Sequence, residues 1–302
     1  VGSEMCIRDS CNIISLIILK FENLVFSPLF CLLLILSIGV SHGSLDHIKG
    51  KKLLKIFEIK NMYIFYLLYI FIASTVIVLW TIIPSVSLTI FLIVASFHFG
   101  KEDTQFLIVE NSYYNQLLFF LKGLLVILAP MFFHFEETIS IFKLLLIDNE
   151  SFYKTLDFIE MNNLILLGII LSTLSSILLF TKEFELKKFT IFLDYFSILI
   201  INYYLSPLMA FTIYFCFLHS TRHGITLMHE LDENDLKNGL KIFIKKALPL
   251  TILTATFCLL GLYLLNNSYN FDSSILKVIF IGLASLTFPH ILLEYLIEKN
   301  EK

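Results

Sequence analysis

MYIFYLLYIFIASTVIVLWTII, residues 62–83, runs for 22 residues without a charged side chain. An α-helix rises about 1.5 Å per residue, so this run reaches across the roughly 30 Å of hydrocarbon in a bilayer. Eight further apolar stretches lie at 24–41, 85–99, 116–133, 163–180, 189–205, 207–223, 247–265 and 275–296. Pro84 and Pro207 separate closely spaced pairs, where loss of a helical hydrogen bond marks a tight hairpin. The chain of 302 residues is 57% hydrophobic and 16% charged, with a mean hydropathy of +0.84. A soluble domain needs far more polar surface than this. The alternation of apolar and polar residues that builds a membrane β-barrel is absent. The expected fold class is all-α: a polytopic integral membrane helical bundle with about nine membrane segments.

The first ten residues, VGSEMCIRDS, lack the basic stretch and cleavage site of a signal peptide and resemble translated adapter sequence. Residues 1–11 are therefore expected to be a tail outside the fold, and residues 12–302 a single membrane-embedded domain. The loop 134–162 is expected to hold short amphipathic helices at the interface. The net charge of −3 gives no reason to expect a nucleic-acid partner. The five cysteines form no CxxC and read as small membrane hydrophobes.

Lysine placement orients the bundle. Lys49, Lys51, Lys52, Lys55 and Lys60 follow the first span; Lys182, Lys187 and Lys188 sit in a later loop; Lys237, Lys241, Lys245 and Lys246 follow the seventh. The 134–162 loop carries only Lys143 and Lys154 against an acidic excess, and 266–274 has no basic residue. Threading the spans puts every basic loop on one face, with the N-terminus outside and the C-terminus inside.

That assignment used no histidine, yet it sorts them. His42 in SHGSLDH, His98 in SFHFGKED, and His219 with His223 in CFLHSTRHG all end inward-running spans. His290 in FPHILLEY lies in the last turns of the final one, while His134 falls at the opposite face and His229 reads as solvated. Ionisable groups at membrane depth are costly, and imidazole is the commonest metal ligand. His219 and His223 are four apart, a spacing that stacks two rings on one helical face and can chelate one ion. A set of four neutral nitrogens suits iron, zinc, copper or nickel. Iron(II) with open positions would bind O₂, whereas zinc would point to hydrolysis. No carboxylate stands obviously among the ligands. Asp46, His47 and Glu102 follow His42 and His98 by four or five positions and are candidates for orienting the metal-bound imidazoles; the competing reading is charges in juxtamembrane water. His290 is a further candidate, as a fifth ligand or as an outer group. The 31 phenylalanines are either lipid-facing filler or the walls of an apolar tunnel.

Taken in order, SHGSLDH, SFHFGKED, FCFLHSTRHG and FPHILLEY resemble the Brp/Blh family of bacteriorhodopsin-related membrane proteins, which are β-carotene 15,15′-dioxygenases. The resemblance runs from about residue 30 to the C-terminus. It implies a catalytic membrane domain in which Fe(2+) is held by His42, His98, His219 and His223. It also implies O₂-dependent cleavage of the central double bond of β-carotene into two retinal molecules, with a functional link to a microbial rhodopsin. The expected location is the cell inner (plasma) membrane, multi-pass, with the metal toward the cytoplasmic side. β-Carotene is confined to the lipid bilayer and offers no polar handle, so its central bond must be chosen by tunnel length and shape. Phe97, Phe99, Tyr214, Phe215 and Phe217 adjoin the implied ligands and are candidate walls. Two other classes compete. A membrane di-iron desaturase needs HxxHH boxes, which the chain lacks. A transporter, or a carotenoid- or retinal-binding protein with structural or proton-relay histidines, is the alternative, although no inverted repeat or paired intramembrane carboxylates stand out.

Overall fold

The computed structural model describes residues 27–40, 43–104, 107, 112–181 and 188–300. The adapter-like stretch, Cys6, Cys11, His42, Lys182 and Lys187 lie outside the described residues. Among those described, every regular element is helical. In chain order they are α1 (Pro28–Leu34, extended by a π turn, Ile35–Gly39), α2 (Asp46–Ile56), α3 (Met62–Ile82), α4 (Pro84–Glu102), α5 (Tyr113–Phe133), α6 (Phe135–Leu144), α7 (Glu150–Met161), α8 (Leu164–Thr181), α9 (Phe189–Tyr204), α10 (Pro207–Ile213), α11 (Thr221–Leu231), α12 (Leu236–Leu265) and α13 (Phe271–Asn300). A second π turn, Tyr214–Ser220, joins α10 to α11.

Local sequence accounts for most helix starts. Asn61, Ser112, Asn149 and Asp235 each place a side-chain oxygen where it accepts a backbone N–H of the first turn. Pro84 and Pro207 open their helices, where a missing N–H costs nothing. As the loop composition suggests, 134–162 folds into two short helices. α6 buries Phe135, Ile139 and Phe142, while α7 buries nothing.

Six helices (α3, α4, α5, α8, α12 and α13) are long and apolar enough to cross a membrane. The bent pair Pro28–Gly39 and Gly43–Ile56 makes a seventh if it is one span. The difference from about nine comes from two segments. α9 has 16 residues, and the 207–223 stretch breaks into α10, the π turn and α11, with Pro207–Ala210 and Thr212–Cys216 buried inside the protein. Hydropathy alone does not separate a helix wrapped in protein from one wrapped in lipid. By contrast, α3 and α12 expose Leu67, Phe71, Ile252 and Phe257, side chains suited to lipid contact.

α4 and α5 approach closely through two glycines. A Cβ on Gly100 would overlap the Phe119 carbonyl, and one on Gly123 would overlap the Ser96 carbonyl. Both obstacles are backbone, so neither can swing aside. Gly100→Ala and Gly123→Ala are each expected to destabilise the protein by about 1–3 kcal/mol. The check is the thermal midpoint in detergent, where an unchanged value would contradict this packing. α13 packs against α3 and α2, and its far end meets α4. This brings the ends of α4 and α13, the start of α2 and the π turn to one end of the bundle.

Candidate metal centre

His98 lies one turn before the end of α4, with Glu102 and Asp103 beyond it. His219 sits in the π turn, His223 follows on α11, and His290 and Glu294 are one turn apart on α13. Four imidazoles gather here. The His98 ring lies 5.3 Å from His219 and 5.4 Å from His290, and His223 lies 6.3 Å from His290, all centroid to centroid. π turns recur at functional sites because the extra residue re-aims side chains. Here the turn sets His219 against Phe99 and His98, while His223 meets His290.

Three rings are held in the same way. His219 Nδ1 is 3.2 Å from Asp103 Oδ1, His223 Nδ1 is 3.2 Å from Glu102 Oε2, and His290 Nδ1 is 2.9 Å from both Asp46 oxygens. A carboxylate that accepts from Nδ1–H fixes the tautomer and turns the Nε2 lone pair toward the ion in many metal proteins. The Nε2 atoms of His223 and His290 are fully buried.

The carboxylates are themselves tied down. Tyr69 donates its hydroxyl to Asp46 (2.9 Å), and Tyr214 donates to Asp103 (2.7 Å). Arg222 donates from Nη2 to Asp194 (2.7 Å) and from Nη1 to the Asp103 carbonyl (3.3 Å), with Lys122 3.9 Å from Asp194. Lys49 donates to Glu294 Oε1 at 2.7 Å. Burial favours the neutral acid at Asp103, but the Arg222 guanidinium, then His219, outweighs it and holds the carboxyl well below the usual carboxylate range. The connected set contains five carboxylates (Asp46, Glu102, Asp103, Asp194, Glu294) and three cations (Lys49, Lys122, Arg222).

Two groups of donors converge tightly enough for a metal. One atom each from His98, His290 and Glu294 lie within 4.8 Å of one another, as do atoms of Glu102, His223 and Glu294. His98, His219 and His223 are therefore gathered in one region, together with His290, which stands inside the cluster and not at its margin. His42 lies outside the described residues. Asp46 holds the imidazole of His290, and Glu102 that of His223. His47 lines the cavity beside the cluster, with its Nδ1 3.0 Å from the Ser44 carbonyl. His134 bonds the Asn202 carbonyl at 2.8 Å, and His229 is exposed. Tyr69 and Arg222 join the site without a motif to mark them, while Asp103 and Glu294 stand in the sequence as flanking residues of His98 and His290. The available signal was spacing: Glu294 is four residues after His290, and Asp103 closes the SFHFGKED motif.

A cavity of about 650 Å³ opens from the cluster. Asp46, His47, His98 and His290 line one end, and Thr81, Leu146 and Lys277 the other. His290 to Lys277 is thirteen residues along α13, about 20 Å of helix. The walls between are apolar, from Phe65, Ala73 and Ile77 on α3 and Leu250, Phe257 and Gly261 on α12. Of the candidate tunnel residues, Phe99 and Phe215 line the cavity. Phe97, Tyr214 and Phe217 do not, which corrects the expectation. Successive helical residues project to different faces, so adjacency in sequence to a ligand does not aim a ring at the same space. Tyr214 acts instead through its hydroxyl on Asp103.

The model of a family described as beta-carotene 15,15′-dioxygenase matches residues 33–298. A protein named beta-carotene 15,15′-dioxygenase from uncultured marine bacterium 66A03 is 28% identical over 267 residues, covering 87% of this chain and 90% of the relative. No solved structure matches.

Proposed function

Because this chain belongs to the beta-carotene 15,15′-dioxygenase family, a family of carotenoid dioxygenases, we propose that it splits the central double bond of β-carotene with O₂ into two retinal molecules, using iron(II). The observation that carries the reading is the gathering of carboxylate-held imidazoles at one end of an apolar cavity.

The residues present fit such an ion. Neutral imidazole suits iron(II). His98, His219 and His223 would hold it, with His42 added on the resemblance. Bound iron would supply the O₂ binding and activation that side chains cannot. The chain does the rest. Asp103 and Glu102 keep the Nδ1 protons of His219 and His223, so both Nε2 lone pairs stay available. Apolar walls on α3, α12 and α13 take up one arm of the polyene by contact alone. The length of arm that the cavity takes up beyond the imidazoles then decides which double bond lies beside them. No side chain has to act as a general acid or base.

The apolar helices make this a membrane protein that meets β-carotene without extracting it into water. On lysine placement we assign it to the inner membrane with the site toward the cytoplasm, where retinal could supply a microbial rhodopsin. Expression in a bacterium that accumulates β-carotene and makes no retinal tests the reading. Loss of orange colour with appearance of retinal is expected. Colour retained at good expression would instead favour a carotenoid-binding or transport role.

A further inference from the structure

We propose that His290 and Glu294 are themselves metal ligands, so that His98, His290 and Glu294 form a two-histidine, one-carboxylate binding face. The inference rests on the iron reading above and changes its ligand set, which there consists of imidazoles alone.

Convergence is the first argument. Metal–nitrogen and metal–oxygen bonds of about 2.0–2.2 Å require the ligand atoms of one ion to lie within roughly 4.4 Å of each other. The donor atoms of these three residues already lie within 4.8 Å, so small side-chain adjustments close the site. All three come from helices and not loops, which limits how far they can drift.

The second argument is the direction of the lone pairs. Both Asp46 oxygens sit 2.9 Å from His290 Nδ1 and claim its proton. In the neutral ring Nε2 is then an acceptor, and it lies 3.5 Å from Glu294 Oε1. The other Glu294 oxygen is 3.9 Å from His98 Nδ1. Lys49 already donates to Oε1, which leaves Glu294 Oε2 as the oxygen facing an ion beside His98. Tyr69 braces Asp46 from behind and Lys49 braces Glu294, so neither carboxylate is free to swing away from the convergence.

Chemistry is the third. Two histidines and one carboxylate on one face of an octahedron is an arrangement that suits mononuclear iron(II) and O₂. It also brings an anionic ligand into contact with the ion, which stabilises iron(II) inside an apolar protein better than neutral nitrogens alone. Within this scheme Asp46 is a positioning residue that acts through His290.

Full-length protein purified in detergent, stripped of metal and reloaded with iron(II) or cobalt(II), provides the test. Glu294→Gln is nearly isosteric, and His290→Gly opens a space that imidazole can fill. Each is expected to lower bound metal by more than about 100-fold in affinity, beyond the 10–100-fold typical of groups that only orient ligands. Added imidazole should restore cobalt to His290→Gly. Asp46→Asn should weaken binding yet leave the cobalt visible spectrum close to wild type, whereas Glu294→Gln should change its shape. Wild-type affinity and an unchanged spectrum in both Glu294→Gln and His290→Gly would overturn the proposal while leaving the iron reading standing. Wild-type protein that binds neither metal would overturn both.

Discussion

His98→Ala is expected to abolish retinal formation and to empty the metal centre in the same protein. His98 lies between the other rings, 5.3 Å from His219 and 5.4 Å from His290, and it shares a donor group with His290 and Glu294. Alanine removes the only imidazole that α4 brings to that group, and Glu102 on the same helix is paired with His223. Loss of a residue that merely orients a ligand costs about 10–100-fold, so loss of a ligand should exceed 100-fold. Retinal measured by chromatography and iron per protein should fall together. Phe97→Ala, one residue away but off the cavity, should retain near-wild-type turnover. Retinal formation within tenfold of wild type in His98→Ala would remove the metal centre from the mechanism.

Arg222→Gln is expected to have the largest effect on stability. The guanidinium is buried and joins Asp194 at 2.7 Å to the side chain and carbonyl of Asp103 at 3.3 Å. Glutamine removes the charge and leaves two buried carboxylates, with Lys122 3.9 Å from only one of them. Breaking one side of such a network costs about 3–5 kcal/mol, because the partner charge stays buried without compensation. The yield of monodisperse protein and its thermal midpoint should both drop sharply. Asp194→Asn added to Arg222→Gln should recover part of the loss by removing one of the stranded charges. The defect should also reach the metal centre, since Asp103 holds His219. A midpoint within a degree or two of wild type would mean that these charges are solvated and that the network is not a buried one.

Much of this protein can be read in one dimension. Long runs such as 62–83 need no partner to be recognised, because bilayer thickness is an external ruler. Segment 207–223 shows where that ruler fails. Its residues are as apolar as a span, yet α10 and the π turn are wrapped by other helices. Apolar composition reports only that water is excluded, not whether lipid or protein excludes it.

The histidine motifs were legible for a related reason. Imidazole near a membrane-buried helix end is rare enough to stand out by itself. Which group meets which was not legible. Asp46 belongs to SHGSLDH, and it holds His290, 244 positions away. Glu102 follows His98 and holds His223. Phe97 and Phe217 adjoin the site in sequence and miss the cavity, while Phe65 and Phe257 line it from distant helices.

Composition and spacing alone thus determined the helical membrane class and the residue types available for chemistry, because both follow from solvent and side-chain properties that each segment carries with it. Pairing of each imidazole with its carboxylate, the entry of Glu294 into the donor cluster and the path of the cavity were decided only by tertiary packing. Those features depend on distances between helices far apart in the chain, and the periodicity of a single helix holds no information about what its neighbour presents.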